Sequence, residues 1–123
     1  MASELQISAT LNFEKTLAVL AVSSSAIIDV AGSKYCDLIQ DIATTNTVIS
    51  FGDVGTVGAY LLQNLDPTNY VDVGFNGTTY QFRLSAGTAT ETGGFLIGQN
   101  NGATINAKAN SAPCRLVVRG ISP

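Results

Sequence analysis

The chain has 123 residues and a mass of 12.8 kDa, the size of one domain and enough to bury a hydrophobic core without metals or disulfides. Apolar residues make up 46% and charged residues 12%, which excludes a disordered chain; a net charge of −3 excludes a nucleic-acid binder of the basic kind. Histidine is absent, so the commonest general base and metal ligand is missing, and a surface of Thr, Ser, Asn and Gly leaves few like charges to hold copies apart.

The first segment alternates. Leu5, Ile7, Ala9, Leu11 and Phe13 share one parity and Gln6, Ser8, Thr10 and Asn12 the other, which predicts a half-buried strand over 5–13. Thr16 to Val22 is apolar on both parities; its length and Val content predict a strand covered on both faces, with a short helix as the alternative. Ala26 to Val30 reads as another strand, ended by Gly32-Ser33. In 35–42, Tyr35, Leu38, Ile39 and Ile42 have helical spacing, but a strong cap is lacking and the neighbouring segments read as strands, so a strand is expected. Thr47 to Phe51 is a strand and 52–58 a loop, whose Gly52, Gly55 and Gly58 mark positions needing positive φ.

Ala59 to Leu65 reads as a central strand and Asp66-Pro67-Thr68-Asn69 as a turn, followed by a strand over Tyr70 to Gly74; together they predict a β-hairpin. Asn76-Gly77 is a two-residue hairpin signal, with Thr79 to Leu84 as its return strand. Ser85 to Gly94 is a polar loop, Phe95-Leu96-Ile97 a short strand and Asn100-Asn101-Gly102 a turn. Ile105 to Ala109 and Arg115 to Ile121 are the last strands, separated by Ser111-Ala112-Pro113. Nine or ten short strands with regular turn signals predict an all-β, antiparallel, jelly-roll-like sandwich in a single domain. Within it, 47–123 forms the sandwich core and 1–46 an N-terminal arm or strand pair that a neighbour could take up by exchange.

The longest apolar run, Leu17 to Val22, is too short to cross a bilayer, and the acidic Glu4 and Glu14 argue against reading it as a secretory signal. Cys36 and Cys114 read as small buried side chains; pairing stays open, and without His they make a poor zinc site. Asp66 and Asp72 are the nearest approach to a catalytic carboxylate pair, but Asp66 initiates a turn and Asp72 faces outward between two Val residues. Asp53, Asp66, Asn69, Asp72 and Asn76 could offer oxygens to a calcium ion, without the spacing of a known loop. The glycines of 52–58 lack the Lys-Ser/Thr of a phosphate loop, and Ser24 and Ser25 have no base to activate them. Tyr60, Phe75 and Tyr80 are the candidate aromatics for a sugar platform. The expectation is a non-enzyme with no cofactor and no bound metal.

The stretch Gly52-Asp53-Val54-Gly55-Thr56-Val57-Gly58-Ala59-Tyr60, followed by Gln63-Asn64-Leu65-Asp66-Pro67-Thr68-Asn69-Tyr70-Val71-Asp72-Val73-Gly74, resembles a group of small β-sandwich virion proteins of tailed bacteriophages. Leu84-Ser85-Ala86-Gly87 and Ala107-Lys108-Ala109-Asn110 extend the resemblance over about 51–120. The sequence departs from that pattern in the Thr- and Gly-filled loop 88–94 and in its Cys-Arg-Leu-Val-Val-Arg ending, which bear on the partner surface and not on the fold. The resemblance implies a structural role in the particle. A capsid decoration (cement) protein on the virion surface, a homo-oligomer bound to the major capsid protein, is the first expectation. A tail, baseplate or fibre component, or a carbohydrate-binding module, is the alternative; neither nucleic acid nor membrane is an expected partner. Leu5, Ile7, Leu11 and Phe13 are the expected interface, because an apolar strand there leaves an edge that something must cover. Tyr60, Asp66, Asn69 and Phe75 are the expected loop contacts.

Overall fold

A computed structural model describes residues 4–88 and 93–123. The chain divides into two compact units, one ending at Ala31 and the other spanning Gly32–Pro123.

The first unit is a β-ribbon. Strands β1 (Leu5–Lys15) and β2 (Ala18–Ile28) pair antiparallel over their full lengths, from Leu5 opposite Ile28 to Lys15 opposite Ala18. The segments 16–22 and 26–30, expected as separate strands, are thus one continuous strand joined to the first by a two-residue turn. That turn is Thr16-Leu17, with Thr16 at φ 52°. Two-residue turns between twisted strands need left-handed backbone, which Asn-Gly or Asp-Gly supplies most cheaply. Here a Thr adopts it, so the usual compositional signal is missing.

Among the described residues the second unit has eight strands: β3 (Tyr35–Ile42), β4 (Thr47–Val48), β5 (Ala59–Asn64), β6 (Val71–Gly74), β7 (Phe82–Leu84), β8 (Phe95–Gln99), β9 (Asn106–Ala109) and β10 (Cys114–Ile121). One sheet has the order β3-β10-β5-β8 and the other β4-β9-β6-β7, with antiparallel pairing throughout. The chain changes sheet at every connection except β6–β7, which is the jelly-roll arrangement of an antiparallel sandwich. Ile42, Leu62, Leu116 and Val118 from the first sheet meet Val71, Val73, Leu84 and Ala107 from the second in one buried cluster, into which Phe51, Val57 and Ile105 of the connections also pack.

This topology corrects the expected hairpin over 59–74. β5 and β6 do follow one another through the 66–69 turn, but they lie in different sheets, β5 between β10 and β8 and β6 between β9 and β7. A turn signal fixes a reversal of direction and not the partner that receives the next strand. The β6–β7 hairpin is also wider than Asn76-Gly77 predicts. Val73 pairs with Phe82, so the return strand begins at Phe82 and not at Thr79. The intervening loop is shaped by the Asn76 side chain, whose Oδ1 accepts the Thr78 and Thr79 N–H groups at 2.9 and 2.7 Å. Of the three glycines in 52–58, Gly52 (φ 56°) and Gly55 (φ 70°) have positive φ around a single 3-10 turn. Gly58 does not; it is small because Pro123 passes against it, 2.6 Å from where a Cβ would stand.

Candidate functional site

The ribbon's two faces differ. Residues directly opposite in an antiparallel pair point to the same side. One side therefore gathers Leu5 with Ile28, Ile7 with Ala26, Ala9 with Ser24, Leu11 with Val22 and Phe13 with Leu20, and ends at Lys15 with Ala18 beside the turn. The other gathers Gln6, Ser8, Thr10, Asn12 and Glu14 with Ile27, Ser25, Ser23, Ala21 and Val19. The apolar side is half-buried at its base, at Leu5, Ile7, Ala26 and Ile28, and exposed towards the turn. Leu11 is 59% and Phe13 50% exposed, and Leu20 and Val22 are exposed beside them. All four residues expected at an interface thus share one face. The β2 half of that face was not foreseen, because 16–22 is apolar on both parities and only the register separates Leu20 and Val22 from Val19 and Ala21. A two-stranded ribbon is marginally stable in water, so this face gains by being covered.

The expected loop contacts divide differently. Tyr60 is not at a loop. It sits in β5 with its ring in the core, 8% exposed, and burial raises its phenol pKa. Phe75 packs against the core and stands edge-on to Phe82, with ring centroids 6.0 Å apart. Tyr80 donates its hydroxyl to Asn46 Oδ1 at 2.6 Å, with the Lys108 amine 5.4 Å from its ring centre. These three aromatics therefore do not combine into a sugar platform.

Asp66 and Asn69 close the turn between the sheets. Asp66 Oδ2 accepts the Thr68 and Asn69 N–H groups at 2.9 and 2.5 Å, and these donors, Asn69 first, hold its carboxyl below the usual carboxylate range. The Asn69 side chain accepts the Ser111 hydroxyl at 2.7 Å. Behind them lies a residue that sequence reasoning did not single out, the fully buried Asn64. Its Nδ2 lies 2.9 Å from the Asn69 carbonyl and 3.2 Å from those of Leu84 and Ser85, and its Oδ1 accepts the Asp66 N–H at 2.9 Å. One amide thus ties β5, the turn and the end of β7 together. The available signal was an Asn at the end of the inward row that Tyr60 and Leu62 begin.

The remaining donors considered for a cation are committed elsewhere. Asp72 forms a two-pronged pair with Arg83, at 2.8 and 3.1 Å, and Asn76 caps its own loop. Among the described residues, no three His, Cys, Asp or Glu side chains come together in a metal-binding group. Cys36 and Cys114 are both free thiols, opposite Gly120 and Ile42 in the β3–β10 ladder. Six residues of strand separate those rungs, on the order of 20 Å and far beyond the reach of a disulfide. Burial is the first cause raising both thiol pKa values. Among the described residues, no helix is long and apolar enough to cross a membrane.

No family model, curated protein or solved structure matches the chain.

Proposed function

We propose that the protein is a structural component of a bacteriophage particle, a capsid decoration protein that self-associates and binds between subunits of the shell. The observation that carries the reading is the ribbon, an 11-residue strand pair with one apolar face exposed towards its tip. The ribbon presents an extended apolar surface, which suits attachment to another protein. The motif resemblance over about 51–120 supplies the particle, and the low charge of the chain suits dense assembly. A ligand that binds only the assembled shell stabilises it by mass action.

The test is the number of copies per particle, measured by quantitative mass spectrometry against the major capsid protein. One copy per capsid subunit, or a simple fraction of it, is the expected result. A few copies to a few dozen would overturn capsid decoration and move the protein to the tail or baseplate. Deleting the ribbon should release the protein from purified shells; unchanged binding would overturn the ribbon's role in attachment.

A further inference from the structure

The chain carries two Asn-Gly pairs, Asn76-Gly77 and Asn101-Gly102. Their glycines have similar left-handed backbone, at φ 79° and 95°. Among the described residues neither glycine N–H is used in a hydrogen bond. What differs is the asparagine. Asn76 Oδ1 accepts the Thr78 N–H at 2.9 Å, the Thr79 N–H at 2.7 Å and the Thr78 hydroxyl at 3.2 Å. Its loop is also held from beside, because the Tyr80 hydroxyl reaches both Asn46 Oδ1 and the Gly77 carbonyl, at 2.6 and 3.3 Å. The bend at Asn101 is anchored at its ends and open in its middle. Asn100 donates its side-chain amide to the carbonyls of Val57 and Ala103, both at 3.1 Å, and its N–H to the Gly58 carbonyl at 2.7 Å. Asn101 and Gly102 between those anchors are exposed, and among the described residues the Asn101 carboxamide has no partner. A Cβ on Gly102 would meet nothing nearer than Thr56, at 4.0 Å.

We propose that Asn101 is a site of spontaneous deamidation and isoaspartate formation, and that the fold protects Asn76 from the same reaction. The Gly102 amide nitrogen, after losing its proton to base, attacks Asn101 Cγ. The new C–N bond closes a five-membered succinimide, the Cγ–Nδ2 bond breaks, and the leaving nitrogen takes up a proton and departs as ammonia. Water then opens the ring at one of its two carbonyls. One opening gives aspartate; the other reroutes the chain through Cβ and gives isoaspartate. Glycine favours ring closure because no side chain crowds its nitrogen, and the backbone rotation that brings this nitrogen to Cγ is easiest where the chain is exposed and unpaired. At Asn76 the same closure must draw Oδ1 away from its donors. Two backbone bonds at the net value of a typical hydrogen bond slow it by about tenfold or more, the equivalent of about 1.4 kcal/mol. The carboxylate formed at position 101 is ionised at neutral pH and adds a negative charge to a chain of net charge −3. It stands between Asn100 and Gly102, which wall a cavity of about 190 Å³, so the reaction recharges the rim of that cavity.

The inference is independent of the decoration reading, and the full-length chain tests it by peptide mapping after incubation, folded, in mildly alkaline buffer. Trypsin cuts after Lys34, Arg83 and Lys108, which places Asn76 and Asn101 in separate peptides. Fragment masses locate the gain that accompanies conversion of an amide to a carboxyl, and chromatography separates isoaspartate from aspartate. The expected result is conversion at Asn101 to both products, faster at higher pH, with Asn76 slower by about tenfold or more. A parallel incubation in guanidinium chloride should bring the two rates together, because the unfolded chain offers the same dipeptide at both places. Equal rates in the folded chain, or Asn76 reacting first, would overturn the protection. A gap that persists in the unfolded chain would assign the difference to flanking sequence and overturn the role given to the Asn76 bonds. A folded Asn101 that stays intact while the unfolded one converts would overturn the site itself.

Discussion

Asn64 is the residue on which the sandwich should depend most steeply. Asn64→Ala removes the amide that meets the carbonyls of Asn69, Leu84 and Ser85 and the N–H of Asp66. The Ser85 carbonyl keeps the Gly94 N–H at 2.9 Å, and the Asn69 carbonyl keeps only a long contact of 3.8 Å from the Cys114 thiol. Two or three groups are therefore stranded, at about 1–3 kcal/mol each where water does not reach them. Part of the turn lies near the surface, so the net loss should be about 3 kcal/mol. In urea, with a slope of about 1–2 kcal/mol per molar, that moves the unfolding midpoint down by about 1.5–3 M. The chain has no Trp, and its four Tyr residues all lie beyond Ala31, so tyrosine fluorescence reports the sandwich unit alone. Asn64→Asp gives a second signature. A carboxylate among carbonyls is disfavoured, so its folded pKa rises above the unfolded value. The variant's stability should then be highest at acid pH and fall as pH rises from the unfolded carboxylate pKa, about 4, towards neutrality. A loss below about 1 kcal/mol for Asn64→Ala with an unchanged slope, or an Asn64→Asp variant insensitive to pH over that range, would refute the hub argument.

Two further outcomes follow from close geometry. Gly120→Ala should destabilise the sandwich by about 1–3 kcal/mol, because a Cβ there would lie 2.6 Å from Phe51 and 2.7 Å from Val57, both buried; a thermal midpoint equal to wild type would show that the core yields freely. Asp66→Ala should cost about 1 kcal/mol near pH 7, the charged-acceptor value discounted for a partly exposed turn. Because the folded Asp66 pKa is depressed, its contribution is present above the ordinary carboxylate range and is lost as pH falls through the folded value. The difference between the two proteins should therefore narrow in urea titrations near pH 2, and a difference that widened there would reverse the assigned sign.

Half of the ribbon's apolar face was legible in the sequence. Leu5, Ile7, Leu11 and Phe13 alternate with polar residues, and a period of two needs no tertiary information to assign a face. Leu20 and Val22 were not legible, because Val19 and Ala21 between them are equally apolar and the Thr16-Leu17 turn carries no Gly or Asn to fix the register. Exposed apolar residues of β3 and β8 were hidden for a related reason. Ile39 and Phe95 look like core residues until the strands beside them show which side is inward.

The sequence alone determined the class of fold, because alternation and turn residues are local properties and local backbone preference expresses them directly. It also determined most strand positions, including 35–42, where helical spacing competed with strand. Only the tertiary structure decided which sheet each strand joined. Asp66 to Asn69 turns the chain in either topology; what sends β6 away from β5 is that both flanks of β5 are taken by β10 and β8, while Asn64, buried at its end, draws the turn and β7 inward. Those partners lie tens of residues away in sequence, and their competition for each strand edge is settled only when the whole core is packed.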